Sequence, residues 1–299
     1  MRWGLTVPFS GVPLAEHAEL LRRAEALGYT DLWSAEATGL DGFTPLALAA
    51  AWTERVRMGT GIVNPYTRGP AVLAQHAAAL ADASRGRFVL GLGCSSDVIV
   101  ERWNGIPFER PLARMRAAVQ QLRPVLAGER ASGGFKLEAP PAQPVPIVVA
   151  ALRDRMLALA GEVADGVLLN FTPISAVEDV VAAVGADIEV LCRFFCFPEE
   201  DLGAARRMLV AYATVPVYEA FFRAHGWGER IDPMVRAWRE GDRRRALELA
   251  PEELAREVFV FGDPRERLEE FRARGIDTPI LTPIAPPEAL PRLLEAWAP

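Results

Sequence analysis

At 299 residues, with 51% of them hydrophobic, the chain can bury about three-quarters of its unfolded surface, which excludes disorder and any need for disulfide staples. Thirty-three basic residues against 39 acidic ones leave a net charge of −6. There is no basic excess to neutralise a phosphate backbone, so no nucleic-acid partner is expected.

Three cysteines, Cys94, Cys192 and Cys196, cannot all pair, and none stands in a metal-ligand spacing. No metal site is expected, and a reducing compartment is. The apolar stretch at residues 3–7 is too short for a signal peptide, and no run approaches the roughly 18 apolar residues of a membrane span. A soluble, cytoplasmic protein without a membrane partner is therefore predicted.

In chain order, β-branched or apolar runs alternate with stretches of helical period, the pattern of a parallel sheet built from βα units. Strands are predicted at residues 3–7, 31–34, 56–63, 87–92, 146–150, 166–170, 188–197 and 278–283. Between them, apolar residues recur at three and four: Leu14, Ala18 and Leu21 in the first helix, and Leu112, Met115, Val119, Leu122 and Leu126 in the fourth. Gly28 and Gly275 follow helical runs where a left-handed residue is wanted. Asp263, Pro264 and Glu266 read as N-cap, N1 proline and capping-box acid. Eight strand–helix repeats without a linker predict an α/β fold, a single (β/α)8 TIM barrel over residues 1–299, with an open doubly wound sheet as the alternative. Two stretches exceed plain connections: residues 129–145, and residues 198–259, a helical insertion between strands seven and eight. Both are candidate lids, and the second is equally a candidate dimer surface.

In a barrel the working residues lie at the carboxyl ends of strands. The junction Ala150, Ala151, Leu152, Arg153, Asp154 offers free amides at a helix start, an anion site in form, although many such junctions bind nothing. Gly91-Leu92-Gly93 lacks the third glycine of a dinucleotide fingerprint, because Ser96 stands there. His17, His76 and His225 are scattered and read as packing or surface groups. Cys192 and Cys196, four apart in one strand, share a face and read as buried. Cys94 falls at a strand end, where small-residue packing is favoured over a reactive thiol.

Ala24-Glu25-Ala26-Leu27-Gly28-Tyr29 with Asp31-Leu32-Trp33-Ser34-Ala35-Glu36, Arg85-Gly86-Arg87-Phe88-Val89-Leu90-Gly91-Leu92-Gly93, and Ala160-Gly161-Glu162-Val163-Ala164-Asp165-Gly166 together resemble the bacterial-luciferase-like flavin and deazaflavin oxidoreductases. Gly59-Thr60-Gly61-Ile62-Val63-Asn64-Pro65-Tyr66-Thr67-Arg68 is similar to the coenzyme F-420-dependent branch that includes methylenetetrahydromethanopterin reductase. The resemblance implies a luciferase-like barrel binding coenzyme F-420, with FMN as the alternative, and a non-prolyl cis peptide at Gly61–Ile62 behind the cofactor ring. It implies that Thr60, Gly61, Ile62, Asn64, Gly93 and Cys94 surround the ring, and that Ala150, Ala151, Leu152 and Arg153 hold the phosphate of its tail. The implied activity is hydride transfer to or from a small organic substrate. The alternatives are an FMN-dependent monooxygenase and a barrel that binds flavin without chemistry. A homodimer is the implied assembly. Two departures bear on proton transfer: Ala37 follows Glu36 where several members have histidine, and Ser96, with Asp97 adjacent, replaces the carboxylate that some carry after the strand-four glycines. Glu36 and Asp97 remain the candidate catalytic acids, Glu36 being equally readable as a structural carboxylate bonded to Asn64, Tyr66 or Thr67.

Overall fold

The computed structural model describes residues 2–299. Nine strands form one parallel sheet: β1 (Gly4–Val7), β2 (Asp31–Ser34), β3 (Arg57–Thr60), β4 (Phe88–Leu92), β5 (Ile147–Ala150), β6 (Gly166–Asn170), β7 (Glu189–Phe197), β8 (Val260–Phe261) and β9 (Thr278–Pro283). The order β6-β5-β4-β3-β2-β1-β9-β7-β8 is closed by a further β6–β7 pairing. Eight strands therefore make the predicted (β/α)8 barrel, and β8 extends β7 beyond its rim through Cys196 and Phe197. Two residues with no apolar period of their own could not be read as a strand from sequence. All eight predicted strands are present. The third is shorter than the predicted 56–63, because its ladder to β2 ends at Thr60, the Gly61–Ile62 bond is cis, and pairing resumes only where Val63 bridges Leu92.

Strand side chains alternate between the barrel interior and the helix layer. The interior is filled midway by Trp33, Val89, Val148, Leu168, Leu191 and Ile280. Beneath them, at the amino end, Arg57 donates to both Glu189 oxygens at 2.7 Å and to Asp31, and Thr278 donates to Glu189. Cys192 and Cys196 point outward into the helix layer, fully buried as predicted. Gly28 and Gly275 take φ of 98° and 108° after their helices, the left-handed ends expected of them. Asp263 caps Arg265 N at 3.0 Å behind Pro264, but Glu266 returns no bond. The expected N-cap forms, and the expected capping box does not among the described residues.

The two long connections have different fates. Residues 129–145 join the helix Pro111–Leu126 to β5, so they run along the amino end, where Gln143 lies beside Gly86. The expectation that they form a lid is overturned, since a helix-to-strand connection reaches the wrong end of the barrel. Residues 198–259 carry five α-helices, Leu202–Ala213, Pro216–Phe222, Gly228–Arg239, Arg243–Glu248 and Glu252–Val258. They leave from the carboxyl end of β7, at the mouth.

Candidate active site

The mouth is built on the step after β3. Gly61 N donates to Ser34 O, Glu36 N donates to Ile62 O at 3.3 Å, and Gly93 N donates to Val63 O at 3.0 Å, so the step is tied to the ends of β2 and β4. Trp33 lies across Gly59, whose absent Cβ would fall 2.4 Å from the indole ring, and its buried Nε1 has no partner among the described residues. Above this floor, Ile62 and Ala150 pack on the interior layer, and a Cβ on Gly93 would stand 2.6 Å from Ile62 Cγ1. Gly61, Ile62, Gly93 and Ala150 thus form an apolar shelf on the interior layer.

Beside the shelf, β5 runs through Ala151, whose N–H bonds Leu168 O at 3.2 Å, into the helix Asp154–Val163. The first backbone bonds of that helix come from Met156 and Leu157 to Arg153 O. The amides of Leu152, Arg153, Asp154 and Arg155 have no acceptor among the described residues, and no side chain caps them. Free amides at the positive end of a ten-residue helix, next to the exposed Arg153, favour an anion. An apolar shelf and an adjacent anion seat are what a flavin-like ring with a phosphate tail requires, so the residues present fit such a cofactor.

Other candidates are held within the protein. Thr60 is fully buried and locks β3 to β4, its Oγ1 donating to Gly91 O and accepting from Gly91 N, each at 2.8 Å. Asn64 Oδ1 accepts from Tyr66 N, Thr67 N and Thr67 Oγ1, which shapes the turn after the step. Glu36 accepts from Arg68 at 2.7 Å and from Gly42 N at 3.0 Å. Its structural partners are therefore Arg68 and Gly42, not Asn64, Tyr66 or Thr67. Asp97 opens the π-helical turn Val98–Trp103, is exposed, and has no side-chain bond among the described residues. Cys94 Sγ lies 3.4 Å from Pro111 O, and burial pushes its thiol up to about 12, which removes it as a nucleophile near neutrality.

Across the mouth lies a polar cluster that the sequence reading did not single out. Leu191 faces the interior, so Arg193, two residues on, does too, in register with Asn170 and Ile280. Arg193 Nε donates to Asn170 Oδ1 at 3.4 Å, and Asn170 Nδ2 donates to the Tyr218 hydroxyl at 2.9 Å. Tyr218 comes from the helical insertion. Burial pushes its phenol up to about 12, so it stays protonated. The signal available in the sequence was parity: Asn170 and Arg193 are polar residues at interior positions toward the carboxyl ends of their strands, just beyond the apolar Leu168 and Leu191. Two clefts lie elsewhere, one of about 520 Å³ around Arg57 and Arg87 at the amino end and one beside the helix Pro70–Ala83. In the first, both guanidinium groups are already engaged, Arg57 by carboxylates and Arg87 by the carbonyls of Thr53, Val56 and Ser84.

The geometry agrees with what the chain is similar to. The profile of the luciferase-like monooxygenase family matches residues 2–278. A Mycobacterium tuberculosis protein provisionally named a coenzyme F-420-dependent oxidoreductase is 30% identical over 94% of this chain and 95% of its own. A 5,10-methylenetetrahydromethanopterin reductase of Methanolobus tindarius is 30% identical over 75% of this chain and 74% of its own. Among solved structures, the F-420-dependent tetrahydromethanopterin reductase of Methanopyrus kandleri superposes with a TM-score of 0.78 at 24% identity, covering 99% of this chain and 96% of that one. With the barrel, the stepped third strand and a profile match from residue 2 to residue 278, the chain belongs to the luciferase-like monooxygenase family.

Proposed function

We propose that this protein is an oxidoreductase that transfers a hydride between coenzyme F-420 and a small organic substrate. The observation that carries the reading is the shelf of Gly61, Ile62, Gly93 and Ala150 beside the free amides of Leu152 to Arg155. The 30% identity to the mycobacterial and methanogen proteins supports F-420 over FMN. When bound, F-420 supplies a carbon at ring position 5 that accepts or donates a hydride. The protein contributes position and dryness. Ile62 and Gly93 support one face of the ring, Cys94 borders it as an uncharged group, and the amides with Arg153 hold the tail phosphate. Glu36, engaged by Arg68 and Gly42, is a positioning residue for the loop after β2. Asp97 keeps an unengaged carboxylate and is the acid available to exchange the substrate proton with solvent.

The insertion 198–259 serves as the wall over the substrate, because Tyr218 reaches Asn170 at the end of β6. A homodimer fits the exposed Leu40 and Trp103 on the mouth loops, at 46% and 55% exposure. The three unpaired cysteines fit a reducing cytoplasm. No described helix is long and apolar enough to cross a membrane.

Fluorescence titration of the purified protein with F-420 and, separately, with FMN tests the reading. Saturable binding of F-420 and none of FMN is the expected result. Binding of FMN alone would turn the assignment to the monooxygenase chemistry, and binding of neither would overturn it.

A further inference from the structure

The barrel order places β7 four strands from β3 in either direction, so Arg193 faces the stepped shelf from the opposite wall. Arg193 is half-buried, stands 4.8 Å over the Phe195 ring, and makes no ion pair with a described residue. That distinguishes it from Arg57 and Arg68, whose guanidinium groups at the barrel's other end and at the rim are neutralised by Asp31, Glu189 and Glu36. Among the described residues only Nε of Arg193 has an acceptor, the neutral Asn170 amide oxygen, and both terminal amino groups are left without one. Tyr218 Oη accepts from Asn170 Nδ2, which leaves the phenolic hydrogen without an acceptor among the described residues. A cation removed from water without a counter-ion is costly. The exposed edge of the guanidinium matches a planar carboxylate in two parallel hydrogen bonds, and the tyrosine hydroxyl adds a third donor.

We infer that the substrate of this site carries a carboxylate, which Arg193 binds end-on with help from Tyr218 while Asn170 holds both in place. The inference deepens the oxidoreductase reading and rests on it for the claim that the β6–β7 wall is the substrate side. With a ring against β3 and its tail over β5, the remaining wall is where a second molecule can meet the ring's free face. Phe195, on the same strand two residues beyond Arg193, is buried among Phe171, Tyr212 and Phe259 and backs the guanidinium from behind.

Isothermal titration of the full-length protein, alone and loaded with F-420, with benzoate and with its neutral isostere benzamide tests this. Benzoate is expected to bind about tenfold or more tightly than benzamide. Arg193→Met is expected to bring the two within about twofold, Arg193→Lys to keep part of the preference, and Tyr218→Phe to weaken benzoate alone. In all three variants the F-420 dissociation constant should stay within about twofold of the parent. Equal binding of the two probes to the parent protein, no binding of either, or a preference that survives Arg193→Met would overturn the inference. So would loss of F-420 binding by a folded Arg193→Met protein, which would assign the guanidinium to the ring. Failure of the parent to bind F-420 would instead count against the cofactor, and the benzoate contrast measured on the protein alone would still decide the anion.

Discussion

Gly91 and Gly93 lie two residues apart on one strand face, and a methyl group meets different neighbours at each. On Gly91 it would stand 1.7 Å from the Thr60 carbonyl oxygen, a backbone atom that cannot move without breaking the β3–β4 pairing. Gly91→Ala is expected to cost about 3 kcal/mol or more, read as a fall in the thermal midpoint. On Gly93 the nearest neighbours are atoms of the Ile62 side chain on the shelf, which can rotate where a backbone atom cannot. Gly93→Val is therefore expected to melt within a few degrees of the parent while losing about tenfold or more in F-420 affinity. The thiol between shelf and helix gives a second check. With burial holding it near 12, Cys94 should resist iodoacetamide at pH 8 in the folded protein and react once unfolded. The glycines were legible because a missing side chain is a visible sequence feature. The cluster of Arg193, Asn170 and Tyr218 was not, since Tyr218 reaches it only through a fold that crosses the mouth.

The interior of the amino end is joined by charge, not by apolar packing. Burial alone would raise the Glu189 carboxyl, but hydrogen bonds and charge from Arg57 outweigh it and hold it below its ordinary value near 4.5. A depressed carboxyl contributes stability above its unfolded value that is lost as pH falls through the folded one. Acid unfolding should therefore steepen below about pH 4.5, and Glu189→Gln should flatten that slope while lowering stability at neutral pH. Arg57→Met leaves the fully buried Asp31 without its main partner and is expected to cost about 3 to 5 kcal/mol in denaturant unfolding. At this scale the sequence was informative wherever a strand carried a continuous apolar run. It also implied the course of residues 129–145, because a connection from the predicted fourth helix to the predicted fifth strand crosses the amino end, so the expected lid conflicts with the predicted element order itself. It was silent on β8, two residues whose extended form comes from pairing with Cys196 and Phe197.

On the proposed reading, the whole molecule separates its stabilising end from its reacting end, as barrels of this kind do. Substitutions at Arg57 or Glu189 should shift the unfolding midpoint without changing ligand affinity, and substitutions at Gly93 or Arg193 the reverse. Saturating F-420 should itself stabilise the protein by about 2.7 kcal/mol at a hundred times its dissociation constant, and the midpoint should climb with ligand concentration. A midpoint indifferent to F-420 would show that the mouth does not hold it.

The placement of the stepped strand and Arg193 on facing walls carries a consequence for diversification. On the proposed reading, the grip on the redox partner comes from the first half of the chain and residues 150–155, whereas the opposing wall comes from residues 170–218. New chemistries of recognition can thus be installed by exchanging one contiguous stretch of gene, leaving the electron-carrying half untouched.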